Sequence, residues 1–220
     1  YYSYSLLSNR YPACCQQPVV LEWNYYPVQN KGETAMPDLP LDGVRVLDLT
    51  RLLPGPYASL VLAELGAEVI KIEEPPAGDP LRYLPLPDSN ASAALFGFLN
   101  RNKKSLTLNL KAAEGQAILR ELACHTDVLL EGFRPGVMQR LGLDYAALAA
   151  GNPDLIYAAL SGYGQKGPHA LHAGHDLNYI ALGGLLGITG TPEGDPVIPG
   201  VPIADLAVAL WTALGVVAAL

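Results

Sequence analysis

The chain has 220 residues, half of them hydrophobic and 16% charged, with a formal net charge of −7. Low charge with high apolar content excludes a disordered polymer, and the acidic balance argues against nucleic acid as a partner. What remains is a soluble cytoplasmic globular protein long enough to bury a sizeable core.

Residues 1–35 do not read like the rest. They hold six of the twelve tyrosines and four charges that sum to zero, and no period of 2 or 3.6 runs through them. A signal peptide needs a basic start followed by an apolar stretch, and neither is present. Met36 then opens Met-Pro-Asp-Leu-Pro-Leu-Asp-Gly. Residues 1–35 are therefore expected to be a leader, either not native to the protein or disordered.

From Gly43 the pattern becomes regular. Val44–Leu49 reads as a short strand; Pro54-Gly55-Pro56 follows, and because Pro suits the first turn of a helix, Tyr57 to Leu65 reads as a helix closed by Gly66. Glu68–Glu73 is a second strand, followed by a long irregular stretch through Pro75, Pro76, Gly78 and Pro80. Ser105–Leu110 alternates with period 2, and a helix is expected from Lys111 to Cys124. Asp127–Glu131 is a fourth strand, a short helix covers Tyr145 to Ala150, and Leu155–Leu160 is a fifth strand. Leu206 to Leu220 is an uncharged, mainly apolar run. It is shorter than the ~20 residues needed to cross a bilayer, so a buried helix is expected and no membrane contact.

Strand–helix alternation of this kind requires crossover connections, which predicts an α/β fold with a Rossmann-like, mostly parallel sheet and helices on both faces. The segments Thr50–Pro56, Glu74–Pro80, Gly132–Gly136 and Ser161–His175 all follow strands, where open sheets of this type bind ligands. No GxGxxG follows the first strand and no GxxxxGK[ST] occurs, which disfavours a dinucleotide dehydrogenase and a P-loop NTPase. His169, His172 and His175 recur every third residue, but in a loop containing Gly and Pro, and no metal site is expected.

Several segments together resemble the class III CoA-transferase family, which also contains the α-methylacyl-CoA racemases. They run from Leu41 to Arg51, Pro54 to Tyr57, Leu65 to Glu73, Asn100 to Ser105, Glu131 to Gly136, Gly162 to Pro168, Ala173 to Tyr179 and Pro199 to Asp205. The resemblance covers the chain from about residue 40 onward. It implies a CoA thioester as substrate, no resident cofactor, and an interlocked homodimer. It also implies that residues 36–220 are the N-terminal part of a CoA-binding large domain, without the family's small domain and C-terminal return segment.

CoA carries a 3′-phosphate and a pyrophosphate, so its site needs cations and helix N-termini. Leu110, Lys111, Phe133, Arg134, Pro135 and Arg140 match CoA-contacting segments of the family, as do Gly174, Asp176, Asn178 and Tyr179. One departure is Glu74, where many relatives carry Arg after the Lys-Ile-Glu strand. His175 and Asp205 align with the acid/base pair of the racemase branch. Racemisation needs a base on one face of the α-carbon and an acid on the other, with donors for the enolate oxygen. Backbone N–H groups between Gly174 and Tyr179, at an expected helix start, are candidates for those donors. In the transferase branch the same Asp is a nucleophile and needs no His at position 175. The form Gly174-His175-Asp176-Leu177-Asn178-Tyr179 resembles the racemases. The main expectation is thus racemisation of 2-methylacyl-CoA, the alternative is CoA transfer through Asp205, and a non-catalytic CoA-binding fragment is a third reading. As an N-cap, Asp205 would also suit the start of the last helix.

Overall fold

The computed structural model describes residues 39–85 and 91–220. The expected leader, residues 1–35, lies outside the described residues. Among the described residues five strands form one all-parallel sheet: β1 (Arg45–Asp48), β2 (Glu68–Glu73), β3 (Lys103–Thr107), β4 (Val128–Glu131) and β5 (Ile156–Ala159), in the order β3-β2-β1-β4-β5. Seven α-helices among the described residues connect and follow them: α1 (Pro54–Glu64), α2 (Ala91–Leu99), α3 (Ala113–Cys124), α4 (Val137–Arg140), α5 (Tyr145–Ala149), α6 (Asp176–Leu182) and α7 (Ile203–Ala219).

Side chains alternate across the strands into two cores, one on each face. Leu47, Ile70 and Leu129 meet Leu119 and Leu122 of α3, Met138 of α4 and Leu148 of α5. Val46, Val69, Val128 and Leu130 meet Leu62 and Ala63 of α1 and Ala213 and Val216 of α7. Burial on both faces makes the central strands continuous apolar runs, and this is why their positions are readable from sequence.

Three elements differ from the sequence reading. The third strand begins at Lys103 and ends at Thr107, ahead of the expected span of 105–110. Its first residue looks like a surface lysine, but the side chain is 1% exposed and its ammonium group reaches Asp48, Ser59 and the carbonyl of Pro56. The strand stops because Asn109 turns the chain, its side chain accepting from the Lys111 N–H at 3.0 Å. Helix α2 falls between the second and third expected strands, where the sequence pattern predicts no element; Ala91-Ser-Ala-Ala-Leu-Phe-Gly-Phe-Leu contains no Pro and one Gly.

The last helix is the third difference. It forms, but it is not a buried helix: Ala209, Ala213 and Val216 are buried, whereas Leu210, Trp211, Leu214 and Val217 are exposed. The small residues are the ones that sit against α1, so only one stripe of an apolar run is covered. Among the described residues no helix is long and apolar enough to cross a membrane.

Candidate functional site

The strand order reverses around β1, so the loop after β1 runs to one side and the loop after β4 to the other. A crevice must open between them at the carboxyl edge. A cleft of about 920 Å³ lies there, walled by Thr50–Leu52 and Pro54 after β1, Glu73 at the end of β2 with Glu74 and Gly78–Pro80 after it, and Leu110 and Lys111 after β3. Gly132–Pro135 after β4 and Ser161–Tyr163 after β5 close it, with His172–His175, Ala204 and Asp205 on the far side.

A buried polar network fixes the β1 side of the cleft. Asp48 is fully buried and accepts from the Thr50 hydroxyl and backbone N–H and from the Ser59 hydroxyl. Burial alone would raise its pKa, but the charges of Lys71 and Lys103 and these hydrogen bonds hold it below the ordinary value. Burial in turn lowers Lys103 to about 8, against the pull of Asp48. Lys71 pairs with Asp79 at 2.9 Å and donates to the Thr50 carbonyl at 2.9 Å. On the β2 side, Glu73 is partly desolvated, yet hydrogen bonds from Arg82, Ser105 and the Asp79 N–H hold it at about 2. These residues are scaffolding: the sequence analysis assigned them no role, because what gives them one is partners brought together from separate strands and loops.

The β4 loop is held by its own strand. Glu131 accepts from the Phe133 N–H at 2.7 Å, and burial raises its carboxyl to about 7 despite that bond. Phe133, Arg134 and Pro135 then project along the cleft wall, with Arg134 exposed. The guanidinium carbon of Arg51 lies 4.9 Å from the centre of the Phe133 ring.

His175 and Asp205, 30 positions apart, are brought to the same cleft. His175 is the exposed residue just before α6, and its N–H donates to the Asn178 side chain at 3.0 Å. The amides of Asn178 and Tyr179 donate to the His175 carbonyl, so the N–H groups of 175, 178 and 179 are already engaged. This narrows the expected set of oxyanion donors. The Tyr179 hydroxyl donates to the Gly174 carbonyl at 2.6 Å and its ring packs edge-on against Tyr163, 5.1 Å between centres. His169 and His172 meet Nδ1 to Nδ1 at 3.1 Å beside the same Tyr163.

Asp205 does not cap α7; it is the third residue of that helix. The cap comes from Asp176, whose carboxylate accepts from the N–H groups of Ala204 at 2.6 Å and Asp205 at 3.2 Å. Asp176 therefore ties the start of α6 to the start of α7 and sets where Asp205 points. Burial, and then the Asp176 carboxylate, raise the Asp205 pKa above its ordinary value, against an opposing pull from His175. Of the expected CoA-binding residues, Leu110, Lys111, Phe133, Arg134, Pro135, Gly174 and Tyr179 line the cleft. Arg140, Asp176 and Asn178 do not: Arg140 is an exposed residue at the end of α4, and the other two brace α7 and His175.

Gly162 faces Tyr179 so closely that an added Cβ would overlap the ring. Gly162→Ala should push Tyr179 off its bond to Gly174 and cost about 1–3 kcal/mol, read as a lower urea midpoint with an unchanged slope.

The family model for CoA-transferase family III matches residues 41–220, the cleft included. The chain belongs to this family. It is 47% identical over 172 residues to succinyl-CoA:glutarate CoA-transferase of Mus musculus, covering 78% of this chain and 39% of that one. It is 41% identical over 187 residues to succinate–glutarate CoA-transferase of Agrobacterium fabrum, covering 82% and 47%. Among solved structures, a CaiB/BaiF family protein from Brucella suis matches with a TM-score of 0.78 at 38% identity, covering 83% of this chain and 49% of that one. The chain thus spans about half the length, or less, of the relatives it matches. Both named enzymes are transferases, so the comparisons favour the transferase alternative and lend the racemase expectation no support.

Proposed function

We propose that the cleft binds an acyl-CoA and that Asp205 passes the CoA between two carboxylic acids, a dicarboxylate being the acceptor. The observation that carries this reading is a half-buried carboxyl of raised pKa on the cleft wall, locked in place by the Asp176 cap on α7. The transferase names of the relatives support it, and their named substrates suggest succinyl-CoA as donor and glutarate as acceptor.

The chemistry balances with Asp205 alone as the covalent residue. Its carboxylate attacks the thioester carbonyl, forming a mixed anhydride and releasing CoA thiolate. The thiolate attacks the Asp205 carbonyl, which frees the donor acid and leaves an aspartyl-CoA thioester. The acceptor carboxylate then displaces CoA thiolate, and the thiolate takes the new acyl group, restoring Asp205. A carboxylate of raised pKa is the stronger nucleophile once ionised. Lys111 and Arg134, with Leu110, Phe133 and Pro135 beside them, are proposed to receive the phosphates and the carbon frame of CoA.

Hydroxylamine added to the intact protein during turnover of succinyl-CoA should leave a hydroxamate on the peptide containing Asp205. An unmodified peptide under active turnover would refute the covalent route. The shared placement of His175 and Asp205 also favours a second reading, α-proton exchange, which deuterium uptake into 2-methylacyl-CoA would reveal.

The pH dependence has a definite sign. Transfer needs the Asp205 carboxylate, so the rate is lost as pH falls through its raised pKa. Asp176→Asn retains an oxygen to accept from the amides of α7 but removes a charge that raises Asp205. The acid limb of kcat should therefore move to lower pH, while an unmoved limb would mean that Asp205 is not the titrating group.

A further inference from the structure

Where the cleft opens beside β2 and β3, one carboxylate holds two cations. Glu74, the first residue after β2, meets the Lys111 ammonium at 2.6 Å and Arg51 at 3.7 Å. All three line the cleft, and all are solvent-exposed, with side-chain exposures of 44%, 78% and 42%. Arg51 comes from the loop after β1 and Lys111 from the loop after β3, so the pair spans the β2 strand end with Glu74 between. Arg51 is further positioned over the Phe133 ring.

We propose that Glu74 is an internal counter-anion that occupies the cations meant for a ligand phosphate and so holds down the affinity of this protein for CoA. The inference rests on the CoA reading given above. Two cations converging from separate strand ends on a cleft wall are what an anionic ligand requires. A phosphomonoester carries a charge of about −1.5 to −2 at neutral pH, more than the single charge of Glu74, and can displace it. The displaced carboxylate stays tethered one residue from the strand and repels the ligand it has yielded to. At this exposure a single like charge a few ångströms away weakens binding on the order of tenfold. The hydrogen bond from Lys111, with the charges of Lys111 and Arg51 behind it, lowers the Glu74 pKa, so the plug stays ionised at neutral pH.

Glu74→Gln keeps an acceptor for Lys111 and removes only the charge. Titration of the intact protein with CoA should give a Kd on the order of tenfold lower in the variant than in the parent, with a steeper salt dependence. Pantetheine, which has no phosphate, should bind both equally. Dephospho-CoA separates the two possible phosphates: a gain that vanishes with it assigns the cations to the 3′-phosphate, and a gain that persists assigns them to the pyrophosphate. Equal or weaker CoA binding by Glu74→Gln would overturn the proposal, since it would make Glu74 a brace for Arg51 and Lys111. Failure of both proteins to bind CoA at all would overturn the CoA reading itself, a result distinct from parent and variant binding alike.

Discussion

Asp205→Asn should abolish CoA transfer, by about 10⁴-fold or more in kcat, while the protein still folds and binds CoA. The size of the effect follows from the chemistry: an amide cannot form the mixed anhydride, so no covalent path remains. The selectivity follows from the structure. Asp205 contributes its backbone N–H to the cap made by Asp176, and that N–H survives the substitution. Its side chain is not the cap of α7, so replacing it does not release the helix start. The thermal midpoint should accordingly stay within a few degrees of the parent, and the Kd for CoA should change little. Succinyl-CoA and glutarate followed by product formation give the rate, and calorimetry gives the affinity. A variant that keeps a tenth or more of the parent turnover would remove Asp205 from the mechanism.

That Asp205 and His175 stand out as candidates in the sequence, while the contacts that hold them do not, has a physical cause. The central strands announce themselves because burial on both faces leaves no polar side, as in Val128-Leu129-Leu130. Once the strands are placed, the loops at their carboxyl ends are placed too, and the cleft with them. Asp205 and His175 were reachable through motif segments, which preserve local order. What the sequence hides is who holds whom. Asp176 reads as a ligand contact and is a helix cap for a segment 28 residues away. Lys103 falls before the expected third strand, and its buried ammonium group lies 3.5 Å from Asp48, 55 positions away. Trp211 reads as core and is exposed, because the face of α7 that meets α1 is made of Ala209, Ala213 and Val216. Such pairings depend on long-range packing, which neither periodicity nor composition carries.

The same long-range pairing sets the largest expected loss of stability. Lys71→Met should destabilise the fold by about 3–5 kcal/mol, roughly 10 °C in thermal midpoint. Lys71 and Asp79 are 2% and 0% exposed and 2.9 Å apart, so removing the ammonium strands a carboxylate away from water. Asp79 cannot turn outward to relieve it, because its other oxygen accepts from the N–H groups of Leu81 at 2.9 Å and Leu52 at 3.2 Å. The double variant Lys71→Met/Asp79→Asn should recover a large part of the loss, since an amide can still accept from those N–H groups and no unpaired charge remains. Additive losses in the double variant would show that the pair acts through something other than its charges. The cost also reaches the site. Lys71 donates to the Thr50 carbonyl and Asp79 holds Leu52, so together they fix the β1 loop that forms one wall of the cleft and carries Arg51. Single-variant molecules that remain folded should therefore bind CoA more weakly than the parent. The buried ion pair thus shapes a wall of the cleft proposed to take CoA while contributing no cation to it, since its ammonium is already committed to Asp79.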